Sequence, residues 1–154
     1  MDAIGELRRE HKTVEARLNE LKRTGQKASR QRKKLMKQVS EELAVHLDLE
    51  EQVVFPLADQ DAQAKDSVLK AQEQHGILKN LLKLLGSMEP QEESFMPKIE
   101  VLADVFHAHV GEEQRTLFSP IRAALTKQQL EALAERIRQG REALVNPKDY
   151  LRSE

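Results

Sequence analysis

Residues 46–56 read HLDLEEQVVFP, and residues 109–120 read HVGEEQRTLFSP. Each stretch opens on a histidine and carries a glutamate four residues later, His46 with Glu50 and His109 with Glu113. A four-residue step on an α-helix puts both side chains on one face, within reach of a single ion. A further histidine precedes each stretch at a matched distance: His11 lies 35 residues before His46, and His75 lies 34 before His109. The chain therefore reads as an internal repeat of two helical hairpins, each supplying a His and an HxxxE. The register differs in one respect. The histidine-spaced glutamate is the first of the Glu50-Glu51 pair but the second of the Glu112-Glu113 pair.

Apolar residues around these motifs recur at steps of three and four, the period of a helix with one buried face. The first helix is expected over about residues 2–24, with Ile4, Leu7, Val14, Leu18 and Leu21 as its stripe and Gly25 as its stop. The second spans about residues 29–59, with Leu35, Val39, Leu43, Val53 and Leu57; Pro56 is predicted to kink or end it. The third spans about residues 62–85, closed by Gly86, with Val68, Ala71, Leu78, Leu82 and Leu85. After a loop containing Pro90, the fourth begins near Ser94, tolerates Pro97 in its first turn, carries Ile99, Leu102, Phe106 and Leu117, and is predicted to end at Pro120. A fifth helix starts at Thr126, where TKQQ reads as a capping box, and presents Leu130, Leu133 and Ile137. Asn146-Pro147 is expected to stop it, leaving a loose tail to Glu154. No segment alternates as a strand does. The expected fold is all-α: an antiparallel up-down four-helix bundle over residues 1–121, with a C-terminal helix and tail over 122–154 packed on it within the same domain.

Composition bounds the function. At 154 residues the chain is long enough to bury a core without disulfides. Its 25 Lys and Arg balance 26 Asp and Glu, which argues against a general nucleic-acid or anionic-membrane binder. The densest basic run, Arg30 to Lys37, reads as a solvated helix face. The absence of cysteine excludes disulfides, iron–sulfur clusters and thiolate zinc sites. The first ten residues, MDAIGELRRE, do not resemble a signal peptide, and no apolar run approaches the ~20 residues that span a bilayer. A soluble, cytoplasmic protein is the expectation.

His11, His46, Glu50, His75, His109 and Glu113 all fall on the apolar seams rather than on the wet faces. Burying such groups without partners costs several kcal/mol each. A single seam histidine fits a hydrogen-bonded core residue. Four with two glutamates, at repeated spacing, point to a metal site. Two equivalent half-sites hold two ions, with the carboxylates bridging and two imidazoles on each. Nitrogen and carboxylate donors suit iron, manganese, zinc or copper, and a carboxylate-bridged pair inside a bundle favours iron or manganese. The Glu-x-x-His pattern of ferritin-like bundles and the HExxH of zinc proteases are both absent. His107 points about 200° away from His109 and reads as a surface residue. Glu15 reads as an exposed glutamate with the reach to assist His11. Glu51 and Glu112 lie about 100° off the seam, facing solvent or supporting the ligands.

At these residues the sequence resembles the hemerythrin-like, or HHE cation-binding, family. The match is His11, then H46-LDL-E50-EQVVFP, then His75, then H109-VGE-E113, over about residues 1–121. The resemblance implies a non-haem di-iron centre with an oxo or hydroxo bridge. In it Glu50 and Glu113 bridge the irons, His11 and His46 serve one, and His75 and His109 serve the other. Manganese or zinc also match the donors. Oxygen-carrying members have a second histidine four residues after the third-helix His; here that position is Lys79. This departure counts against simple reversible O₂ carriage. The expected role is iron binding or sensing with O₂ or peroxide as small ligands. The alternative is a di-iron enzyme that disproportionates peroxide or oxidises Fe(II), with no nucleic-acid or membrane partner. A purely structural bundle is the third reading, and the oligomeric state stays open.

Overall fold

A computed structural model describes residues 2–62 and 64–145. These residues form helices and turns, with no strand among them. Helix α1 spans Ala3–Lys22 and α2 spans Ser29–Leu49. A π-helical turn, Glu50–Val54, runs directly into the short α3, Phe55–Ala58. Helix α4 spans Lys65–Gly86 and α5 Phe95–Glu113. A second π-helical turn, Gln114–Phe118, leads into α6, Ser119–Ala124, and α7 spans Lys127–Val145.

Helices α1, α2, α4 and α5 close a ring, α1 against α2, α2 against α4, α4 against α5 and α5 against α1. Short loops make successive members antiparallel, which is the expected four-helix bundle. The apolar stripes face inward: Leu7, Val14, Leu21, Val39, Leu43, Leu78, Ile99, Leu102 and Phe106 are buried. Helix α7 lies outside the ring, against α1, α2 and the first π turn, through Leu130, Leu133 and Ile137.

Several helix ends differ from the sequence expectation. Pro120 does not end the fourth helix. In both repeats the chain passes its proline by first loosening into a π turn. The Phe55 N–H then reaches back five residues to the Glu50 carbonyl, and the Ser119 N–H to that of Gln114. Proline lacks an N–H and crowds the carbonyl of the preceding turn, so a wider turn just before it absorbs the conflict. Gly25 and Gly86 do not act as left-handed stops, since no described glycine has positive φ. Helix α1 ends at Lys22 and α4 starts at Lys65, within three residues of the expected limits.

Two caps are made as sequence pattern suggests. Asp2 accepts the Gly5 N–H at 2.9 Å. Thr126 and Gln129 exchange hydrogen bonds at 2.8 and 3.1 Å, the predicted capping box. In the basic run Arg30, Lys33, Lys34 and Lys37 are exposed, but Arg32 is buried. It donates to the Thr24 and Pro90 carbonyls at 3.0 and 2.8 Å and lies over the Phe95 ring. The proposed helix stop at Asn146-Pro147 and the tail beyond it lie outside the described residues.

The core is divided. One apolar cluster gathers Ile4, Leu7, Leu49, Phe55, Phe118 and the inner face of α7. The other gathers Val14, Leu18, Leu43, Leu78, Ile99 and Phe106. Between them every bundle helix contributes polar side chains.

Candidate metal centre

His11 on α1, His46 on α2, His75 on α4 and His109 on α5 are all buried, as are Glu50 and Glu113 at the two α-to-π junctions. The helix period brings all six to one level. His11, His46, Glu50 and Glu113 offer ligand atoms within 4.8 Å of one another, and so do Glu50, His75 and His109. Glu50 belongs to both groups.

The imidazoles are arranged in two pairs. The Nε2 atoms of His11 and His46 stand 2.9 Å apart, and those of His75 and His109 3.2 Å apart. The carboxylates lie between the pairs. Glu50 Oε1 is 3.0, 3.4 and 3.5 Å from the Nε2 atoms of His46, His75 and His109. Glu113 Oε2 is 3.3 Å from those of His11 and His109.

The other ring nitrogens face outward. His46 Nδ1 donates to Glu10 Oε1 at 2.8 Å, His109 Nδ1 to Gln74 Oε1 at 2.8 Å, and His75 Nδ1 contacts Glu51 Oε1 at 3.3 Å. A carboxylate or amide oxygen there holds the proton on Nδ1 and leaves Nε2 as a lone pair aimed inward. His11 Nδ1 has no such partner; its ring stacks on Phe118 with centroids 5.8 Å apart.

These residues fit a metal. Two imidazole lone pairs facing each other repel unless a proton or cation lies between them. Nitrogens each about 2.1 Å from one ion and at right angles across it stand about 3.0 Å apart. The carboxylates are under-used as well: Glu50 Oε2 and both Glu113 oxygens are buried and accept no hydrogen bond. A fully buried carboxylate left so is costly, and a cation removes the cost.

Without an ion, protons take over part of this work. Burial disfavours the charged form of His46, but Glu50 and Glu10 together outweigh it and push its pKa up to about 9. Burial, and then the charge on His46, push His11 down to about 4. Burial works against the Glu50 carboxylate, yet its imidazole neighbours, His46 foremost, hold it well below the usual range.

Lys79 points away from the cluster. Its Nζ meets the two Glu51 oxygens at 2.9 and 2.7 Å. Partial burial opposes its charge, but Glu51 and Asp48 keep its pKa above the ordinary lysine value. It is held as a cation and offers no lone pair. His107 is exposed and contacts Glu15 at 3.4 Å, and neither belongs to the two groups of clustered ligand atoms. Glu112 faces Lys70 at 2.9 Å.

Sequence reading missed Glu10 and Gln74. The signal was present in the repeat, since each stands directly before the lone histidine of its half and each accepts from the HxxxE histidine of that half. Two clefts reach the cluster from outside. One, of about 340 Å³, is lined by Gln74, His109 and Glu113; the other, of about 270 Å³, by His11, Glu15 and Gln114.

Comparison with known proteins bears on the fold and the family. A crystal structure of a hemerythrin HHE cation binding domain-containing protein from Mycobacterium kansasii superposes with a TM-score of 0.80, at 20% identity, over 94% of this chain and 87% of that one. At that identity the likeness speaks for the fold. A protein described as a DNA nickase, from Nostoc sp. (strain PCC 7120), is 28% identical over 97 residues. The alignment takes in 63% of this chain but only 27% of that relative, so the chain spans about a quarter of its length. The model of the hemerythrin HHE cation binding domain matches residues 2–121, which include all six clustered side chains. With the ring of four helices and the His/Glu layer across it, this places the chain in the hemerythrin HHE cation-binding family.

Proposed function

We propose that this protein binds two iron ions through His11, His46, Glu50, His75, His109 and Glu113, and uses the pair to bind or sense O₂, peroxide or a similar small ligand. The observation that carries the reading is the pairing of four inward Nε2 atoms around two carboxylates, three of whose four oxygens accept no hydrogen bond. Glu50 lies between the two groups of donors, as a bridging ligand would. Iron, once bound, supplies redox chemistry and positions for small ligands. The chain supplies the rest. Glu10, Gln74 and Glu51 orient three of the imidazoles from behind. Phe55, Phe106 and Phe118 press on His75 and His11 and keep bulk water from the cluster. The cleft past Gln74 admits a small molecule to the side of His109 and Glu113.

Metal analysis after anaerobic Fe(II) loading tests the proposal. About two ions per chain are expected, as for a paired-metal site, with a near-ultraviolet band after exposure to air that zinc-loaded protein lacks. Fewer than a single ion per chain would remove the reading.

A second reading is enzymatic: peroxide disproportionation or Fe(II) oxidation. It is favoured by Lys79, which is paired outward and leaves the His75 and His109 side one imidazole short of the oxygen-carrying pattern. Oxygen release from peroxide, abolished by His75→Ala, supports it; turnover no faster than free iron dismisses it.

A further inference from the structure

Helix α7 lies outside the residues matched by the family model, yet its arginines reach the support of the cluster. Arg138 pairs with Glu6 at 3.1 Å, and Arg141 pairs with Glu10. Glu6 and Glu10 stand one turn apart on α1, and both are buried. Glu10 uses its other oxygen to accept from His46 Nδ1 at 2.8 Å. A continuous line of contacts thus runs from α7, through α1, to an imidazole on α2. The helix also approaches closely. A Cβ on Gly140 would come within 2.7 Å of Leu49 Cδ2, and Leu49 is the residue before Glu50. The other pair of histidines has different support: His109 is backed by Gln74, and His75 by Glu51, which Lys79 holds. Neither line passes through α7.

We propose that α7 governs one half of the metal centre, with Arg141 a positioning residue that acts through Glu10 on His46. The ion on the side of His11 and His46 then depends on Arg141, whereas the residues behind His75 and His109 pair with neither Arg138 nor Arg141. This rests on the two-ion reading above.

A buried carboxylate is held in one orientation when both of its oxygens have partners. Arg141 faces the second oxygen as an ion-pair partner, and no hydrogen bond is made there. A cleft of about 190 Å³, lined by Glu10, Thr13, Val45 and Arg141, opens beside the pair. With Arg141 gone, Glu10 can turn into that space and release His46. Loss of a group behind a metal-bound histidine costs ~10–100-fold in affinity; one contact further out, Arg141→Ala is expected to weaken one ion by about three- to tenfold.

Two measurements on the full chain test this, for the natural protein, Arg141→Ala and Arg141→Lys. The first is nuclear magnetic resonance of the metal-free protein, following the ring protons of His46. A slowly exchanging Nδ1–H is expected in the natural protein, lost in Arg141→Ala and restored in Arg141→Lys. The second is competition for Fe(II) against a chelator. The Ala variant should weaken one ion and leave the other within about twofold, and the Lys variant should recover most of the loss. Equal weakening of both ions with a lowered melting temperature would make α7 a plain scaffold and overturn the proposal. An unchanged His46 proton in Arg141→Ala, or its absence from the natural protein, overturns it too. Should the natural protein bind no iron, the di-iron reading fails by itself and the metal-free resonance decides the Arg141–Glu10–His46 link alone.

Discussion

At the scale of single residues, Glu50 approaches three of the four imidazoles and Glu113 two, and each carboxylate touches both pairs. Glu50→Ala is therefore expected to lose both ions, whereas His75→Ala keeps the ion of the other half; metal analysis after iron loading separates the two outcomes. Protonation gives a second expectation, for the metal-free protein. His46 sits at about 9 in the fold against 6.5 ordinarily, so the folded state holds its proton more tightly, and the stability this contributes is complete below pH 6.5 and lost as pH rises through 9. His11 sits at about 4, so the unfolded chain takes up its proton first, and stability is lost as pH falls from 6.5 towards 4. The melting temperature of chelator-treated protein should therefore peak near pH 6.5, the ordinary histidine value. A flat profile between pH 4.5 and 9 would contradict both assignments.

At the scale of elements, the π turns and the outer helix decide how the ligands are held. Each π turn starts at, or just after, a clustered glutamate and ends beside a proline that an unbroken α-helix would not pass. The sequence shows the prolines but not this remedy, because a helical ladder shifted by one residue leaves no mark in apolar periodicity. Packing of α7 makes Gly140 a sensitive position. Gly140→Val brings a branched side chain against buried Leu49 and should destabilise by about 1–3 kcal/mol, read from denaturant midpoints, whereas Gly140→Ala loses less because its helix propensity is better. At the far end of the bundle, Arg32→Ala removes the partner of two carbonyls and a contact with Phe95, and is expected to cost about 2–4 kcal/mol. A surface lysine such as Lys33, changed the same way, should alter stability by less than about 0.5 kcal/mol.

For the molecule as a whole, a polar layer splits the hydrophobic core in two. Such a layer weakens a bundle unless something satisfies it. Metal removal should therefore lower the melting temperature without abolishing the helices, since both apolar clusters remain. Free iron at a thousand times its dissociation constant should add ~4 kcal/mol to stability. Identical melting with and without metal, judged by circular dichroism, would show that protons alone satisfy the layer.

The sequence by itself determined the helices, their inward faces and the gathering of six polar side chains at one level. All of this follows from spacing along the chain, and a helix converts spacing into direction by a fixed rotation per residue. The tertiary structure decided what stands behind each imidazole. Glu10 serves His46 from another helix, Glu51 serves His75 across the two halves, and Arg141 reaches Glu10 from 131 residues away. Such contacts depend on how helices are rotated and tilted against one another, and local periodicity carries no record of that. The sequence also marked Lys79 as the departure from the oxygen-carrying pattern. Only the packed helices showed where its charge goes, outward to Glu51, where it steadies a carboxylate behind His75.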